Sequence, residues 1–62
     1  MKTIEITVLQ KHTNPDGSRY YLVRRVIDGF IVEGFFKIEQ EWALGDLVEI
    51  TAEQAEKINW KA

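Results

Sequence analysis

The sequence predicts one small antiparallel β-meander of four strands with a short C-terminal helix, a mostly-β to α+β domain spanning residues 1–62. Three observations carry that expectation. The first is period-two alternation of β-branched residues at the N-terminus. The second is an Asp28-Gly29 pair between two long apolar runs, and the third is a capping signature at Thr51.

Each element follows in chain order. In residues 3–10, Ile4, Ile6 and Val8 alternate with Thr3, Glu5 and Thr7, the pattern of a half-buried strand. Asn14-Pro15-Asp16-Gly17 is a turn. Proline presets φ at the second position, Asp suits the third, and Gly accepts positive φ after it. Residues 19–27 and 30–38 are two further strands. Asp28-Gly29 joins them in a type I′ turn, which sets their register. One face then pairs Ile27 with Phe30, Arg25 with Val32, Val23 with Gly34 and Tyr21 with Phe36. The other pairs Val26 with Ile31, Arg24 with Glu33, Leu22 with Phe35 and Tyr20 with Lys37.

Residues 42–46 read as a loop ending in a turn, and 47–50 as a short fourth strand. Thr51-Ala52-Glu53-Gln54 fits a capping box. The helix it opens is expected to run for about ten residues, too short to stand without docking on the sheet. Ala55 and Ile58 would face the sheet, and Lys57 and Lys61 would lie near the negative end of the dipole. Two architectures fit these elements: an open sheet crossed by the helix, or a partly closed SH3-like or OB-like barrel.

Composition bounds function. With 45% hydrophobic and 29% charged residues the chain is globular. A domain this small hides only roughly 60% of its unfolded surface, so its core holds on the order of a dozen side chains. There is no cysteine and a single histidine, His12. Neither a disulfide framework nor a metal centre is expected. No cofactor is implied. Ser18 has no histidine in plausible register, and the glycines form no phosphate-binding pattern. The chain is therefore expected not to be an enzyme. No apolar run is long enough to span a membrane, and Glu5 interrupts any leader-like start, so a cytoplasmic location is expected, in a cell or an infected host.

Net charge is −2. Residues 1–28 carry five Lys and Arg against three acids, and residues 29–62 carry three Lys against seven acids. The molecule would be electrically two-sided if these halves formed different faces.

Both hairpin faces are largely apolar, which an open sheet with one wet side does not require. The Tyr21 face, which also holds Ile27, Phe30, Val32 and Ile38, is the more apolar. Gly34 gives it room for close packing, so it is expected to be the core. The other face is covered by the helix, rolled into a barrel, or exposed as a contact surface of Tyr20, Leu22, Arg24, Phe35 and Lys37. Trp42 is expected to plug one end of the core. Trp60 falls off the apolar stripe of an ideal helix. Either the helix unwinds before it and the ring folds back, or the indole is exposed as an anchor. The expected partner of this face is a protein. Single-stranded nucleic acid is the alternative, because rings beside Arg and Lys on a sheet stack bases and track phosphates. Burial against a second copy is the third reading.

Residues 43–55, Ala-Leu-Gly-Asp-Leu-Val-Glu-Ile-Thr-Ala-Glu-Gln-Ala, resemble a pattern seen in many small phage-encoded proteins. There a Gly-Asp turn leads through a Val-Glu-Ile strand into a Thr-capped helix. The resemblance implies a phage or mobile-element source. It implies no activity and carries over no functional residue.

Overall fold

Residues 2–61 are described by a computed structural model. Strands β1 (Thr3–Thr13), β2 (Arg19–Ile27), β3 (Phe30–Lys37) and β4 (Leu47–Thr51) precede one helix, α1 (Ala52–Glu56). The sheet is open and wholly antiparallel, in the order β3-β2-β1-β4.

The turns form where the sequence places them. Gly17 N–H donates to Asn14 O at 3.0 Å and Asn14 N–H to Ser18 O at 2.8 Å, with Gly17 at φ +90°. At the second turn Asp28 and Gly29 have φ of +50° and +82°, as a type I′ turn requires. All eight β2–β3 pairs match the register this turn sets.

β1 differs from the expected 3–10 run. It continues to Thr13, because the tight Asn14–Ser18 turn lets it pair with β2 to the end. It also carries a bulge: Val8 faces Val23 but Gln10 faces Leu22, leaving Leu9 as the extra residue. The next turn, Ala43–Asp46, seats against that irregularity. Gly45 N–H donates to Val8 O at 2.8 Å and Val8 N–H to Asp46 O at 3.0 Å. β4 then pairs with the first half of β1. β3 ends at Lys37, one residue short of the expected Ile38, and β4 extends to Thr51.

The core lies on the Tyr21 face. Ile6, Val8, Tyr21, Val23, Phe36, Ile50, Ala55 and Ile58 are buried there, with Ile4, Ile38, Trp42, Val48 and Trp60 packed around them. Phe30 shares that parity but is 71% exposed, because the hairpin tip projects past the region the helix covers. Trp42 closes one end as expected, with ring centroids 5.1 Å from Tyr21 and 6.0 Å from Phe36.

The capping box at Thr51 is complete. Gln54 N–H donates to Thr51 Oγ1 and Thr51 N–H to Gln54 Oε1. The helix is half the expected length, and its C-cap is Lys57. Beyond it the chain closes on Gly34. A Cβ there would lie 2.5 Å from Ile58 Cγ2 and 3.0 Å from Asn59 O, so the chain after the helix presses on bare β3 backbone. It then reaches the outer edge of β3, where Glu33 and Lys61 exchange two backbone hydrogen bonds of 2.8 Å. Lys61 therefore sits on a sheet edge, not near a helix terminus. Helix and tail together cross the core face from β4 to β3. The reading in which the helix covers the other face is overturned.

Candidate functional site

The face left open is built by the register. From the hairpin tip inward its β2–β3 rows are Val26 with Ile31, Arg24 with Glu33, Leu22 with Phe35, and Tyr20 with Lys37. Val26 is 62% exposed, and Ile31 and Phe35 are each 59% exposed. These are large apolar groups in water on a rigid hairpin. Leu22 and Tyr20 are half-buried among their neighbours, and Arg24 and Lys37 are exposed.

The sequence-predicted residues Tyr20, Leu22, Arg24, Phe35 and Lys37 thus share this one face. Trp60 does not join them. It packs on the core side, its Nε1–H donates to Ala55 O at 3.0 Å, and the Arg25 guanidinium lies 5.5 Å from its ring centroid. Of its two expected placements the ring folds back, and the exposed-anchor placement falls.

His12 belongs to the face and escapes strict alternation. Counting by twos from Val8 puts Gln10 and His12 in the core. The bulge at Leu9 reverses that parity, since one extra residue moves every later side chain to the opposite face. His12 then stacks on Tyr20 with centroids 5.0 Å apart and meets the edge of Phe35 at 6.2 Å. Tyr20 and Phe35 are themselves edge-to-face at 5.6 Å. The sequence held a signal: two polar residues, Gln10 and His12, stand where unbroken alternation requires apolar ones.

Charges of both signs lie on this face. Glu5 and Glu49 are register partners on the β1–β4 side, while Arg24 and Lys37 lie on the hairpin. Arg24 and Glu33 face each other, yet the ion pairs within 4 Å among the described residues are Lys11–Glu41 and Arg19–Glu41. Two shallow grooves border the patch. One, of about 410 Å³, runs between Leu22, Phe35 and the tail residues Asn59 and Lys61. The other, of about 260 Å³, lies among Glu5, Thr7, Arg24 and Ile31.

Elsewhere the polar side chains do structural work. The Ser18 hydroxyl donates to Asp16 Oδ1 at 2.7 Å and accepts from Asn14 Nδ2, which closes the first turn. Hydrogen bonds from Ser18 hold the Asp16 carboxyl below its ordinary value. The hydrogen bond and charge of Lys11, then the charge of Arg19, do the same for Glu41. A carboxyl lowered in the fold contributes stability at pH above its ordinary value, here 3.8 for Asp and 4.5 for Glu, and loses it as pH falls through the lowered value. Acid titration of the melting temperature is therefore expected to show a shallower fall than in the wild type, below pH 3.8 in Asp16→Asn and below pH 4.5 in Glu41→Gln. Equal slopes would mean that these contacts do not persist in solution. Both groups are exposed, so the change is small.

Among the described residues no group of three or more His, Cys, Asp or Glu side chains is placed to hold a metal ion. No helix is long and apolar enough to cross a membrane. Comparison with protein-family models, with curated proteins and with solved structures returns no match for this chain.

Proposed function

We propose that the chain is a non-catalytic interaction module that docks a protein on the open face of its β2–β3 hairpin. The observation that carries this reading is the exposed set Val26, Ile31 and Phe35, contiguous with Leu22 and the His12–Tyr20 ring stack. Apolar side chains on a sheet of fixed register are preorganised, so a partner loses little conformational freedom in meeting them. Large apolar surface left outside a small domain's core marks contact sites. Residence in the cytoplasm of a cell or infected host, and a phage or mobile-element source, belong to the same reading.

Leu22→Ala and Phe35→Ala test it. Each is expected to reduce capture of the bound protein roughly tenfold or more, as removal of a central anchor does. Melting should change little, because neither residue is in the core. A collapse of thermal stability, or capture that ignores both changes, sinks the reading.

The His12, Tyr20 and Phe35 rings beside Arg24 and Lys37 also favour a second reading, a single-stranded nucleic-acid platform. Against it stand the net charge of −2 and the carboxylate of Glu33 in the middle of the patch. Amide NMR with a mixed-sequence single-stranded oligonucleotide at low salt separates the two. Shifts confined to residues 20–37 that vanish as salt rises would favour nucleic acid.

A further inference from the structure

The rows of the open face have a symmetry that names an occupant. Taking that face as a protein-docking surface, we propose that the protein seated on it is a second copy of this chain. The two copies are related by a two-fold axis that lies in the interface, parallel to the strands, between β2 and β3.

The argument is one of register and charge. Such an axis lays β2 of one copy over β3 of the other. Every residue then meets, on the second molecule, the residue it already faces in its own hairpin. Val26 meets Ile31, Leu22 meets Phe35, and Arg24 meets Glu33, each twice. Lys37 comes over the Tyr20 ring, where a cation is attracted to the π face. Patch and counter-patch are the same surface, as an isologous contact requires. Aligned packing of two twisted sheets allows the arrangement, and the central Arg24 and Leu22 rows hold their register best.

Two other axes fail on the same rows. A two-fold perpendicular to the strands through the Arg24 row would set Arg24 on Arg24 and Glu33 on Glu33. An axis between β2 and β1 would bring Val26 over Glu5 and Ile31 over Glu49, apolar groups onto carboxylates. Of these three axes, the one inside the hairpin sets Val26 on Ile31, Leu22 on Phe35 and Arg24 on Glu33 together. It also gives Arg24 and Glu33 the ion pair they do not close within their own chain. The overlap is two strands wide, less than the roughly 800 Å² per partner of a standard interface. The dimer is accordingly reversible, forming in the micromolar range or above.

Sedimentation equilibrium from micromolar to millimolar protein tests this. The wild-type mass is expected to rise from 7.2 kDa toward twice that value. Arg24→Glu alone and Glu33→Arg alone each put like charges on both sides of the axis, and both should remain monomeric. An equal mixture of the two variants should recover the doubled mass, because two acids on one copy then meet two bases on the other. The double variant should recover it as well.

A wild type that is monomeric at every concentration overturns the proposal. So do single variants that associate like the wild type, or a mixture that stays monomeric. If a charge variant does not melt cooperatively, Phe35→Ser replaces it. That change leaves both charges in place and is expected to abolish the mass increase; a retained dimer would refute the geometry. A monomeric wild type whose Phe35→Ala form still loses capture of another protein ends the dimer and leaves the docking face standing. A monomer with capture unaffected ends both.

Discussion

Gly34→Val is expected to leave a substantial part of the protein unfolded in water at room temperature. A strand glycine normally weakens its sheet, and valine there would gain up to about 1 kcal/mol of intrinsic preference. Space decides the opposite sign. The new Cβ would stand 2.5 Å from Ile58 Cγ2 and 3.0 Å from a backbone oxygen of Asn59. Ile58 is β-branched and buried, so it has little freedom to turn aside. Overpacking of this kind costs about 3 kcal/mol at its upper end. A single core in so small a domain rarely supplies more than about 3–5 kcal/mol. Urea unfolding followed by tryptophan fluorescence would read the loss as a lower midpoint. Gly34→Ala should lie between valine and wild type. Unchanged midpoints in both would mean that residues 58–61 do not pack on β3.

Tyr21→Ala is expected to abolish the fold, and Tyr21→Phe to weaken it. The ring is fully buried, packs at a tilt against Trp42 and ties the central strand to the long β3–β4 connection. Its hydroxyl donates to Gln40 O at 2.6 Å and accepts from Trp42 N–H at 3.2 Å. Truncating a buried aromatic ring costs about 3–5 kcal/mol, comparable with the whole stability of the domain. Removing the hydroxyl alone leaves a carbonyl and an amide short of a partner, at about 1–2 kcal/mol. Circular dichroism melts would rank the two. In Tyr21→Phe the Trp42 amide should also exchange with solvent faster. If Tyr21→Phe melts like the wild type, the hydroxyl does not anchor that connection.

The hairpin was legible because its determinants are local. Asp28-Gly29 admits one turn geometry, and that turn dictates the pairing of every residue from Tyr20 to Lys37. Five of the six candidate residues share a face for that reason. The Thr51 capping box was legible for a similar reason, since its partners are three residues apart. What the sequence did not disclose depends on distant contacts. The bulge at Leu9 arises where β1 passes from pairing with β4 to pairing with β2 alone, and it alone brings His12 to the open face. The close packing of Ile58 and Asn59 on β3 after α1 requires Gly34, more than twenty residues away in the chain. Helical periodicity from 51 to 62 does not register that contact.

The pairing of β1 with β4 has a consequence for how the chain finds its structure. Both hairpins close over short spans, whereas residues 3–7 must meet 47–51 across most of the chain. The entropy of closing that large loop has to be met before any of its contacts form. The β1–β2–β3 meander is therefore expected to assemble first, with both of its apolar faces in water. The core side would be covered only when β4 arrives and carries the helix over it. Nascent chains would be most prone to stick together in that interval, so the rate of this last closure should set how much protein survives synthesis at high concentration.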